Sequence, residues 1–113
     1  MKLITEHIAL SELSQMARNM FGSLVKAVVD IEKEIMVVGG ELHADEELFL
    51  IEQSSRREYL WGVNLYPGAP KDQLVEFDSM INVRPHLGNR TRGVESAEIR
   101  QKILRVVNKL ITL

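Results

Sequence analysis

The clearest hydrophobic pattern lies between Tyr59 and Arg92. Tyr59, Trp61, Val63 and Leu65 fall on alternate positions, and Val75, Phe77, Ile81 and Val83 keep mostly the same phase. A strand sends successive side chains to opposite faces, so the pattern predicts two strands, over residues 59–66 and 74–83, each with one apolar face. The opposite face then carries Asn64, Tyr66, Glu76, Asp78, Asn82 and Arg84. Residues 67–73 hold two prolines and a glycine and form the connecting loop.

Elsewhere the period changes. Leu13, Met16, Ala17, Met20 and Phe21 recur at helical spacing, which predicts a helix over about residues 12–21, capped by Ser11 and ended by Gly22. Residues 24–31 and 35–38 are rich in β-branched side chains and read as a hairpin, although the turn between them lacks an Asn-Gly or Gly-Gly pair. Residues 41–53 fit a strand in their first part. From Asp45 onward an N-cap, acids in the first turn and a dense apolar run favour a short helix, although four consecutive apolar residues fit a strand as well and periodicity does not decide. Ile99, Ile103, Val106, Val107 and Leu110 mark one face of a last helix that starts near Glu95 or Ser96. A short strand over residues 2–6 completes the order β-α-β-β-(α)-β-β-α. These elements predict a single α+β domain over residues 1–113: two layers, a mostly antiparallel sheet, and the first and last helices on one face. The other face is expected to be exposed or covered by a second subunit.

Composition narrows the function classes. With 113 residues, 45% hydrophobic and 27% charged, the chain suits one self-sufficient core. A formal net charge of -2 excludes a general polycation for nucleic acid. Charge is nevertheless split: residues 30–58 are acidic, and from Arg84 onward bases predominate. There is no cysteine, so disulfides, thiolate metal sites and cysteine nucleophiles are excluded. No leader-like apolar run opens the chain, and no stretch approaches the roughly 20 apolar residues that span a bilayer. A cytoplasmic location is the expectation.

Three constellations carry candidate chemistry. Glu41, His43 and Asp45 would share one face of an extended segment at steps of about 7 Å, a donor set that suits Zn, Mn or Fe. Asp78 or Asp30 could add a ligand or a general base; the same residues are equally explained as an acidic helix entry with a surface histidine. The loop of residues 84–93 carries Arg84, His86, Arg90 and Arg92 beside Asn89, with glycines that permit close approach, and leads into a helix. Guanidinium forks and free amides there suit a phosphate or carboxylate, on a small ligand or an RNA backbone. It lacks the glycine spacing of a phosphate loop. The polar sheet face adds Asn64, Asp78 and Asn82 to that site. A Ser79–histidine–Asp78 nucleophile system is discounted, since nothing around Ser79 resembles a nucleophile elbow.

Several segments, Gly39 to Asp45, Leu60 to Pro67, and Asp78 to Pro85 with Gly88, Asn89 and Arg90, together resemble a group of short bacterial proteins classed as a domain of unknown function. The resemblance covers nearly the whole chain and implies a compact bacterial protein. It assigns no activity, so no catalytic residue follows from it.

The residues thus favour a binding module, homodimeric in one arrangement, for an anionic ligand or partner at Asn64, Asp78, Asn82, Arg84, His86, Asn89, Arg90 and Arg92. No cofactor is required. One alternative is a metal-dependent hydrolase built on Glu41, His43 and Asp45. Another is a structural partner in a protein complex, which requires an exposed apolar patch.

Overall fold

The computed structural model describes every residue from Met1 to Leu113. Five strands form one antiparallel sheet: β1 (Lys2–Ile4), β3 (Val25–Asp30), β4 (Ile35–Val38), β5 (Leu60–Leu65) and β6 (Val75–Glu76), in the order β1-β4-β3-β5-β6. A separate parallel ribbon joins β2 (Ile8–Ala9) to β7 (Ile111–Thr112). The helices are α1 (Leu10–Asn19), α2 (His43–Glu52) and α3 (Ala97–Leu110). The protein is therefore α+β, with α1 and α3 on one face of the sheet as the hydrophobic periods predict.

Alternation explains the main core. Val25, Ala27 and Val29 of β3, Met36 and Val38 of β4, and Trp61, Val63 and Leu65 of β5 all face α1 and α3, where Leu13, Ala17, Ile103, Val106, Val107 and Leu110 meet them. The alternate residues Val28, Val37 and Leu60 face the other way and pack with Leu50 of α2. The second face is thus covered by the chain's own α2, not left to solvent or to a second subunit.

Two local devices depart from the sequence expectations. The β3–β4 turn needs no Asn-Gly pair because Asp30, fully buried, organises it: its Oδ1 accepts from the Glu32 and Lys33 amides, both at 2.9 Å, and Oδ2 accepts from Ser55 Oγ at 2.7 Å. Residues 41–53 resolve as helix, starting at His43 with Leu42 as its N-cap and Asp45 inside the first turn.

The largest correction concerns the strand expected over residues 74–83. Only Val75 and Glu76 pair with β5, opposite Leu65 and Asn64. Beyond them the chain turns over the face of β5, and Met80–Asn82 form a 3-10 turn in which Ser79 Oγ accepts from the Ile81 amide. Gly62 makes this crossing possible, since a Cβ there would lie 2.6 Å from Ser79 Cβ. Ile81 consequently packs with Val28 and Leu60 under α2, on the opposite side from Phe77, which rests against the main core.

Candidate functional site

Leaving the sheet early strips β5 of a neighbour over its first half, and side chains take that place. Asn82 Oδ1 accepts from the Gly62 amide and its Nδ2 donates to the Gly62 carbonyl, both at 2.9 Å; Nδ2 also donates to the Arg92 carbonyl at 3.0 Å. Arg84 donates to the carbonyls of Arg57 (2.6 Å) and Leu60 (2.7 Å), and its guanidinium lies 4.3 Å over the Trp61 ring. It is 5% exposed. Burial lowers its pKa, opposed by the Glu47 carboxylate. Asn89 donates through Nδ2 to the carbonyls of Asn82, Thr91 and Gly93, and its Oδ1 accepts from the Glu95 amide. Three of the residues expected to meet a ligand therefore spend their polar groups within the chain, where buried donors and acceptors are paired, with the buried Arg84 Nε the one exception.

The rest of the loop is differently placed. His86 and Arg90 are exposed, and Gly88 ends the Pro85–Leu87 turn at φ +84°. Glu95 accepts from the amides of Arg90 and Thr91, so the free amides anticipated for an external anion already hold an internal carboxylate. Ser96 caps α3 by accepting from the Ile99 amide at 3.2 Å.

Asn64, Asp78 and Arg92 do come together. Asn64, 8% exposed on β5, donates from Nδ2 to Glu76 Oε1 at 2.9 Å and to the Asp78 carbonyl at 3.4 Å, while its Oδ1 has no partner. Tyr66 donates to the same Glu76 oxygen at 3.0 Å. Arg92 Nε pairs with Asp78 Oδ1 at 2.6 Å, both side chains roughly half exposed.

His43 joins this group rather than a metal set. Its Nε2 lies 2.8 Å from the Val63 carbonyl and donates to it, which leaves Nδ1 as the acceptor in the neutral ring. Burial lowers its pKa; the Val63 bond opposes that, and the charges of Lys26, Asp78 and Arg92 act on the ring as well. Glu41, His43 and Asp45 do not gather: no group of three or more His, Asp or Glu side chains is placed to hold a metal ion. The physical reason is the helix. Extended backbone would align residues two apart, whereas helical geometry turns them to different faces.

Two participants escaped the sequence analysis. Lys26 stands opposite Asn64 in the β3–β5 register, so the alternation that places Val28 under α2 places Lys26 beside His43. Its signal was present in the strand phase. Glu46 is fully buried, with Oε2 accepting from the Gly40 amide at 3.1 Å and Oε1 unpartnered. Burial pushes its pKa up to about 9. Within a run of three acids, no periodicity distinguishes it.

No helix is long and apolar enough to cross a membrane. No curated protein and no solved structure matches the chain. A family model matches residues 2–110, under the description "Protein of unknown function (DUF5674)". The chain belongs to that family.

Proposed function

We propose that this protein is a non-enzymatic binding module whose ligand carries a phosphate or carboxylate and sits at Lys26, His43, Asn64, Asp78 and Arg92. One observation carries this reading. Five polar side chains from β3, α2, β5 and two separate loops lie close enough to act on one another, and the buried Asn64 among them has an oxygen without a partner. The Asp78–Arg92 pair is half exposed, and such surface pairs contribute only about 0–1 kcal/mol, so a ligand anion can take over the guanidinium at little cost. Lys26 supplies a second cation, while the neutral His43 Nδ1 and the unpartnered Asn64 Oδ1, both acceptors, would take a hydroxyl or N–H elsewhere on the same ligand. Arg90 and His86 are exposed in the same loop as Arg92. Metal-dependent hydrolysis has no ligand set to support it.

The test is a thermal-shift and amide-resonance titration with inorganic phosphate, citrate, adenosine monophosphate and oligouridylate. A stabilising shift from at least one of them, lost in Arg92→Ala with the fold intact, supports the site. No shift from any of the four in the unaltered protein removes it.

A further inference from the structure

We propose that the groove between α2 and the Gly39–Gly40 end of the sheet docks a lysine- or arginine-bearing segment of another protein, with apolar residues between its cations. The groove encloses about 480 Å³. Asp45, Leu48, Phe49 and Glu52 form one of its walls, at the spacing of a single stripe along α2, and Met1, Gly39, Gly40 and Glu41 form the other. Glu41 also borders a second hollow lined by Met20, Phe21 and Leu42, so the two adjoin there. Together they collect Met1, Met20, Phe21, Leu42 and Leu48, five of the eight large apolar side chains that the surface exposes. Scattered exposed apolar residues are ordinary, but a gathered set marks an interaction surface.

Charge selects the occupant. Glu41, Asp45 and Glu52 are exposed, and none of them takes part in any of the six ion pairs of the protein. Behind the groove wall lies Glu46, fully buried. Its Oε1 is unpartnered and its Cγ lies 2.7 Å from where a Gly40 Cβ would stand. Three exposed carboxylates without an ion-pair partner, Glu41, Asp45 and Glu52, therefore border the apolar channel, while Glu46 behind its wall is held neutral by burial. Phe21, which lines the second hollow, carries the Lys26 ammonium over its ring at 5.1 Å. A second copy of this chain offers less of that charge on α3, its most basic helix: Lys102 pairs with Glu98, Lys109 pairs with Glu34 and Arg100 donates to the Val94 and Glu95 carbonyls, which leaves Arg105 as the cation there without a partner.

The probe is a fluorescein-labelled peptide of alternating lysine and leucine, with a glutamate–leucine peptide as control, read by fluorescence anisotropy. Saturable binding of the lysine peptide is expected, with affinity falling at least about tenfold when salt is raised from about 50 to about 300 mM. Glu41→Lys with Asp45→Lys should weaken it by a further factor of about ten, and Leu48→Ser, at an exposed site that leaves the core intact, should weaken it several-fold. Absence of saturable binding, equal binding of the glutamate peptide, or indifference to both variants overturns the proposal. So does sedimentation showing a dimer that the Glu41→Lys, Asp45→Lys variant dissociates, since the occupant is then a second copy.

Discussion

Asn82 acts toward Gly62 as the backbone of a missing strand would: one side-chain amide satisfies both the N–H and the C=O of that residue, at 2.9 Å each. Asn82 is fully buried, and its third bond, to the Arg92 carbonyl, fastens the arginine loop to the sheet edge. Asn82→Ala leaves these groups without partners, at about 1–3 kcal/mol for each buried group. Urea unfolding should show a loss of about 2–4 kcal/mol. Asn82→Asp should fall in the same direction, because a carboxylate can accept from the Gly62 amide but cannot donate to either carbonyl.

Gly62→Ala tests the other half of that relationship. Its new Cβ would meet Ser79 Cβ and Oγ at 2.6 Å. Overpacking of this kind costs about 1–3 kcal/mol. Ser79→Gly in the same chain should restore part of it, a coupling that a double-mutant cycle reads directly.

Three groups of α2 are shifted, and they predict opposite limbs of a pH profile: His43 on the acid side, Glu46 and, also raised by burial, Glu47 on the alkaline side. Glu46 has its pKa raised from 4.5 to about 9 by burial, so the folded state holds its proton more tightly than the unfolded chain. The stability this provides is complete below about pH 4.5 and is lost as pH rises toward about 9. His43 is shifted down from 6.5, so its contribution is present above that value and is lost as pH falls through the lowered one. Glu46→Gln should flatten the alkaline limb and raise the melting temperature at pH 8, since an amide needs no proton to be neutral. A melting temperature that still falls as steeply between pH 5 and 8 in Glu46→Gln would show that the buried carboxyl is not responsible.

Asp30 should be intolerant of change. It joins the β3–β4 turn to the exit of α2 through three hydrogen bonds. Asp30→Ala is expected to cost about 2–4 kcal/mol in urea unfolding, and Ser55→Ala, which removes only one of the bonds, about 1 kcal/mol.

Much of this architecture was legible in the chain. The two-residue phase of Val25, Ala27 and Val29, of Trp61, Val63 and Leu65, and the helical phase of Leu13 and Ala17 or of Ile103, Val106 and Val107, each place the main core correctly. The phase of Asn64 against Trp61 also holds, and so does the gathering of Asn64, Asp78 and Arg92. What failed did so for identifiable causes. Residues 77–84 keep a strand-like alternation; the small residues Gly62 and Ser79 hint at a close approach, but nothing local says that each is the other's partner. Asn82, Arg84 and Asn89 look like ligand-seeking side chains in the sequence, because bonds to distant carbonyls leave no periodic trace. His43 and Asp45 could not be aligned for a metal once α2 began at His43. Covering the second sheet face with α2 depended on that same choice between helix and strand, on which the run Leu48 to Ile51 is silent.

The parallel ribbon of Ile8–Ala9 with Ile111–Thr112 has a consequence for biosynthesis. Thr112 reaches Ile8 across 104 positions of chain, at 3.4 Å. Domains fold as they emerge, from the N-terminus onward. The segment leading into α1 must therefore wait, unpaired, until α3 and the two residues beyond it have left the ribosome. A stalled nascent chain lacking Ile111 and Thr112 should expose Ile8 to protease, whereas the released protein should protect it.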